Sequence, residues 1–373
     1  MAREYRLISG DSHVLEPPHL WTEYMPKKFH DKCPRVVADG EGGEAWQFSP
    51  DVPPAPIGIY ASAGRKHEDV RWTGVTFAEA NQGNFRAEPR LQEMDVDGVD
   101  AEVLFGSARM MSHFYSDPDP EFHLAGMHAF NNWLAEDFVK IAPDRLIGLG
   151  VMPGLGVESC IKEMERCVKL GMRGVWLNTL PSAGPTIRPE DDPFWEAAQS
   201  LEMPVHFHVR VMRKVQKPKP KGTRGGDLTG LANVGAVDMM TDLPEIIASG
   251  VHDRFPKLKW VMVEAGSGWV PYILEQLDDR YWRNRFWLPV KLKHEPSEYY
   301  RRNWFSTFMI DNYAVRNRYS LGVDNMMWSS DYPHHGCDWP ETRRVVDDMF
   351  REVPKDERLK MCALNAAKLY KLI

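Results

Sequence analysis

The chain has 373 residues, 43% of them hydrophobic, enough for a large core as one big domain or two ordinary ones. A formal net charge of -7 disfavours a nucleic-acid partner. No apolar run reaches membrane-spanning length, the start "MAREYRLISGDSH" has no signal-peptide core, and Cys33, Cys160, Cys167, Cys337 and Cys362 form no C-x-x-C pair, so no membrane partner and a cytoplasmic location are expected.

Short β-rich runs alternate with helical stretches along the whole chain. The strand candidates are "YRLISGD" (5–11), "AEVLFG" (101–106), "RLIGLGVM" (145–152) and "RGVWLN" (173–178). They continue with "PVHFHV" (204–209), "LKWVMVEAG" (258–266), "WFSTFM" (304–309) and "NMMWSSDYP" (325–333). Most are continuous apolar runs, the pattern of parallel strands covered on both faces.

Helical periodicity fills the intervals. Val157, Cys160, Ile161, Met164 and Val168 share one face of a helix that Gly171 terminates. A long helix opens at Asp119-Pro120 and ends by Pro143. "SGWVPYILEQLDDRYW" and "PETRRVVDDMFREV" follow later strands in the same way. Eight strands alternating with helices predict an α/β fold, a (β/α)₈ TIM barrel, as one domain over 1–373. An open doubly wound sheet is the competitor, but no G-x-G-x-x-G follows the first strand.

Two stretches break the alternation. Residues 17–90, rich in Pro, Gly and Trp, read as a long insertion after strand 1, with "NQGNFRAEPR" (81–90) a polar loop without a motif. Residues 210–240 read as a basic loop after strand 5, carrying Arg210, Arg213, Lys214, Lys217, Lys219, Lys221 and Arg224 before any acidic residue. Such a loop at the mouth would focus an anionic small-molecule substrate, with Arg210 and Lys217 as candidate contacts. The aromatic stretch "RYWRNRFWLPVKL" (280–292) either buries against a second subunit, giving a homo-oligomer, or covers its own barrel.

In a barrel, the C-terminal strand ends converge on one mouth. They carry Asp11 and His13 (strand 1), His206 and His208 (strand 5), Glu264 (strand 6) and Asp331 (strand 8). Carboxylate and imidazole donors with an open position suit a divalent metal, Zn, Fe or Mn, as one or two ions. Glu16 and His334, with its neighbour His335, are candidate pocket residues. His206 reads as a packing residue, with a ligand role as the alternative.

The pieces "DSHVLEPPHLW", "RLQEMDVDGVDAEVLF", "NNWLAEDF", "PDRLIGLGVMP", "PVHFHV", "HDRFPKLKWVMVEAGSGWVPYILEQLD" and "SSDYPHH" occur in this order over nearly the whole length. In this the chain resembles the amidohydrolase superfamily, in the branch that holds aminocarboxymuconate semialdehyde and resorcylate-type decarboxylases. The resemblance implies a mouth metal held by Asp11, His13 and His208, and an Asp331 that touches the metal and moves protons. One departure stands out: where many relatives carry a histidine ending strand 6, this chain has Glu264. A carboxylate there would bind or bridge metal, or act as a base, and it weighs against decarboxylation.

The leading expectation is therefore hydrolysis of an ester, thioester, amide or lactone, with an acyl-coenzyme A substrate among the options. Metal-activated water would attack the carbonyl, and Asp331 would carry its proton to the leaving group. The alternatives are non-oxidative decarboxylation of an aromatic or enoic acid, and a non-catalytic binding barrel.

Overall fold

A computed structural model describes residues 3–208 and 236–373. Eight short strands form in the expected places: β1 (Ile8–His13), β2 (Ala101–Phe105), β3 (Leu146–Gly148, continued by Gly150–Val151), β4 (Val175–Leu177), β5 (Val205–His208), β6 (Trp260–Val263), β7 (Trp304–Phe308) and β8 (Met326–Trp328). Neighbours pair in parallel, β1 with β2, β2 with β3, and the second part of β3 onward through β8. The seam between β8 and β1 is closed by two backbone hydrogen bonds. The Asp331 N–H donates to the Asp11 carbonyl at 2.9 Å, and the His13 N–H to the Tyr332 carbonyl at 2.6 Å. The result is the (β/α)₈ barrel.

Around it run the helices α1 (Ala87–Asp97), α2 (Ala108–Ser116), α3 (Pro120–Leu134), α4 (Val157–Lys169), α5 (Asp192–Ser200), α6 (Ala236–Ala248), α7 (Val270–Asn284), α8 (Pro296–Asn303) and α9 (Thr342–Met349). The predicted start of α3 is correct, because the Asp119 side chain accepts from the N–H groups of Glu121 and Phe122 as a helix cap. Its end differs: the α-helix stops at Leu134 and gives way to a π-turn, Ala135–Val139. In α4 the buried face runs through Cys160, Met164 and Cys167. Val168, assigned to that face by periodicity, is 38% exposed. The turn after α4 needs Gly171, whose φ of 86° few other residues adopt.

Segment 17–90 has structure of its own. It contains a short helix, Leu20–Tyr24, and a small antiparallel sheet of Arg35–Ala38, Glu44–Gln47 and Ala55–Pro56. The basic stretch through Arg210 and Lys217 lies outside the described residues. The last residues of the predicted 210–240 loop are not loop: α6 already begins at Ala236. In the aromatic stretch at the end of α7 and beyond, Trp282, Phe286 and Trp287 are 60%, 78% and 72% exposed, while Leu292 packs on the core. No described helix is long and apolar enough to cross a membrane.

Candidate metal centre

Strand β1 delivers the first two donors in an irregular way. Its register against β2 shifts between Ser9 and Ser12, so Asp11 and His13 do not sit on a plain alternating strand. Gly10 lets the neighbouring strands approach: a Cβ there would lie 3.2 Å from the Thr307 side chain and 3.4 Å from that of Met327. The outcome is that Asp11 Oδ1 stands 3.4 Å from His13 Nε2.

Strands β5 and β8 bring the others to the same atom. His208 Nε2 is 3.2 Å from His13 Nε2 and 3.6 Å from Asp11 Oδ1. Asp331 Oδ1 is 3.3 Å from His13 Nε2. Asp11, His13 and His208 form one group with metal-ligand spacing, and His13, Asp331 and His334 a second. The contacts of His13 to Asp11, His208 and Asp331 all run through its Nε2. One ring nitrogen has one lone pair in the plane, so this arrangement can serve one ion rather than two.

The donor chemistry fits a divalent cation. Both oxygens of the fully buried Asp11 carboxylate lack a hydrogen-bond partner, an expensive state unless a cation takes them. Two imidazole Nε2 atoms face each other, which without a cation requires one of them to carry a proton. Burial works against charge on His13, but the carboxylates of Asp11 and Asp331 prevail and push its pKa up to about 10. Burial likewise opposes the Asp11 and Asp331 carboxylates, and the surrounding imidazoles hold both below the ordinary range.

The remaining candidates fall into distinct places. His334 donates or accepts through Nδ1 at Asp331 Oδ1, 2.8 Å away, and its ring stacks on that of His13 at 4.1 Å. Burial lowers its pKa, so it resists a second positive charge beside His13. Glu264 Oε2 lies 3.6 Å from His208 Nδ1, on the ring edge opposite the Nε2 that meets Asp11. Glu264 belongs to neither converging donor group among the described residues. Among the described residues Glu264 thus faces the far ring edge of His208, away from the atoms that converge. Both Glu264 and Asp331 have φ in the left-handed region, 58° and 55°, a strained backbone that non-glycine residues adopt mainly where the surroundings enforce it.

Glu16 is fully buried, with Oε1 accepting the Ser107 N–H at 2.8 Å and Oε2 unpaired. Burial raises its pKa to about 7. His206 is a packing residue: its ring nitrogens meet the Val175 carbonyl at 2.9 Å and the Tyr370 hydroxyl at 2.8 Å, and burial lowers its pKa to about 4. Sequence reasoning missed Tyr60, whose ring meets His334 edge-on at 5.1 Å. It lies in the inserted segment, where no periodicity or motif marks it.

The profile of the family described as Amidohydrolase matches residues 19–372. A gamma-resorcylate decarboxylase of Polaromonas sp. is 26% identical over 265 residues, covering 65% of this chain and 75% of that protein. The crystal structure of an amidohydrolase from Mycobacterium avium subsp. paratuberculosis K-10 superposes with a TM-score of 0.76 at 21% identity, over 99% of this chain and 100% of that one. A dihydroxybenzoic acid decarboxylase from Polaromonas sp. JS666, solved with bound manganese and 2-nitroresorcinol, gives 0.64 at 18% identity, over 99% and 98%.

These findings overturn the leading expectation of hydrolysis. The curated relatives are decarboxylases, the reading ranked second. The physical reason for the misjudgement is that a carboxylate–imidazole metal site serves either reaction, and Glu264 was given too much weight. An imidazole does stand beside Asp331, but the loop after β8 supplies it, as His334.

Proposed function

Because the chain belongs to the amidohydrolase family, we propose that it is a metal-dependent, non-oxidative decarboxylase of a small aromatic carboxylic acid. The observation that carries this reading is Asp331, which faces the donor cluster through His13 at 3.3 Å and holds His334 at 2.8 Å. Asp11, His13, His208 and Asp331 hold one divalent cation, and manganese is the ion named for the dihydroxybenzoic acid decarboxylase relative. When bound, that cation supplies an anchor for the substrate's carboxylate and an adjacent ring hydroxyl.

The reaction breaks the bond between ring carbon and carboxylate, leaves the electron pair on the ring carbon, and replaces carbon dioxide with a proton. Because the Asp331 carboxylate is ionised at rest, it hands the ring carbon a proton that it first receives at Oδ1 from His334 Nδ1. Glu264 favours a proton on His208 Nδ1, which keeps the Nε2 lone pair directed at the cation. Burial around the cluster excludes water from the reacting carbon. One barrel domain, 1–373, carries all of these groups. The unpaired, buried Cys33, Cys160, Cys167 and Cys362 favour a reducing cytoplasm.

The test is to load purified protein with manganese and follow carbon dioxide release from a panel of mono- and dihydroxybenzoates. Release that chelation abolishes and manganese restores supports the reading. Turnover of esters or thioesters, with no carbon dioxide from any aromatic acid, refutes it.

A further inference from the structure

The polar stretch 81–90 showed no motif, yet together with Glu93 just beyond it reaches into the seam between β1 and β8. Its central residue is Arg90, on the first turn of α1 and fully buried. The guanidinium donates from Nη1 to the His13 carbonyl at 3.0 Å and to the Gly83 carbonyl at 3.2 Å. Nε donates to Glu102 Oε2 at 2.5 Å, a fully desolvated ion pair onto strand β2. Nη2 has no hydrogen-bond acceptor, and the guanidinium lies over the Tyr332 ring with its carbon 4.2 Å from the ring centre.

Two of these partners are tied to metal donors. The His13 carbonyl belongs to a ligand, and Tyr332 directly follows Asp331. The Tyr332 carbonyl also accepts the His13 N–H at 2.6 Å. The far end of the ring is pinned as well: its hydroxyl donates to Glu93 Oε2 at 2.6 Å and accepts from Asn81 Nδ2 at 3.2 Å. Glu93 in turn takes the Gly83 N–H at 3.0 Å. Segment 81–93 thus grips the backbone of one donor and the side chain next to another.

We propose that Arg90 is a positioning residue for the metal centre, fixing the His13 and Asp331 ends against each other so that their donor atoms converge. An arginine suits the task because a rigid planar fork reaches two carbonyls and a carboxylate while its face covers an aromatic ring. A lysine keeps the charge but offers a single point, so it cannot hold all four partners. The proposal rests on the metal-holding reading of the cluster and not on which bond the enzyme cleaves.

The experiment measures manganese affinity by calorimetry, and the melting temperature of the metal-free protein, for the wild type, Arg90→Lys and Tyr332→Leu. Arg90→Lys is expected to weaken manganese binding by roughly 10–100-fold, the range seen when outer partners of metal ligands are lost. Tyr332→Leu, which removes the ring under the guanidinium together with its hydroxyl bonds to Glu93 and Asn81, is expected to weaken it less but in the same direction. It also carries the test should Arg90→Lys fail to fold. A variant that melts lower yet binds manganese within twofold of the wild type makes Arg90 merely structural and overturns the proposal. A wild type that binds no manganese overturns the metal reading beneath it, and the two failures are distinct.

Discussion

His13 and His208 meet Nε2 to Nε2 at 3.2 Å, with both oxygens of the buried Asp11 carboxylate left unpaired beside them. Two lone-pair atoms that close repel unless a proton or a cation lies between them. Among the described residues, this junction is where the first, fifth and eighth strands bring their donors together.

Removing a donor should therefore abolish metal retention with little loss of fold. His13→Ala or His208→Ala is expected to weaken manganese binding by more than the roughly 10–100-fold typical of losing an outer partner. In the wild type, manganese at about 100 times its dissociation constant should add about 2.7 kcal/mol of stability. Thermal melts with manganese and with chelator measure both effects. Equal melting shifts in wild type and His13→Ala would contradict the assignment.

The proton on His13 makes metal binding pH-dependent. Its pKa in the folded, metal-free protein is about 10, against an ordinary 6.5. The folded state thus holds that proton more tightly than the unfolded chain. The stabilisation is complete below pH 6.5 and disappears as pH rises through about 10. A cation must displace the same proton, so manganese affinity should rise with pH, by about tenfold per unit below pH 10. Calorimetric titrations in buffers of different ionisation heat would count the released proton. Affinity that is flat from pH 6 to 8 would be the contrary result.

His334 is expected to act on turnover and not on metal content. His334→Gln keeps a polar group at Asp331 but cannot relay a proton. It should cut kcat by roughly 10²–10⁴-fold, the usual weight of a proton-transfer group, while manganese stoichiometry stays at that of the wild type. Loss of the ion in this variant would instead make His334 a ligand.

Glu16 offers a separate check, on stability. Its ordinary pKa is 4.5 and its folded value about 7, raised by burial. Ionisation is therefore disfavoured in the fold, and the protein should lose stability as pH rises from 4.5 to 7. Glu16→Gln retains an oxygen for the Ser107 N–H but does not titrate. Relative to the wild type it should gain on the order of 1–3 kcal/mol across that window, read from denaturant melts. A difference that stays constant with pH would show that Glu16 does not ionise as described.

Much of this was legible before any coordinates. Continuous apolar runs marked the eight strands, and the polar residues that ended them marked the mouth. His206 and His208 sit two apart on one strand, yet only His208 joins the cluster. His206 lies one layer deeper, taken by Val175 and Tyr370, a C-terminal partner no local pattern could announce. Val168 was misplaced because a periodic rule counts apolar positions and cannot tell which flank of a helix meets its neighbour. Arg90 was invisible for a related reason: a buried arginine in a polar stretch looks like any surface arginine until its distant partners on β1 and β8 are known. The reaction itself was misjudged, since one ligand set serves both attack on a carbonyl and release of carbon dioxide.

Whether donors from three strands gather around one cation is read from anomalous scattering by manganese-loaded crystals. A single peak bonded to Asp11, His13, His208 and Asp331, with Glu264 behind His208 and not bonded, is expected. Two peaks, a peak elsewhere, or none at full manganese occupancy of the solution would contradict it.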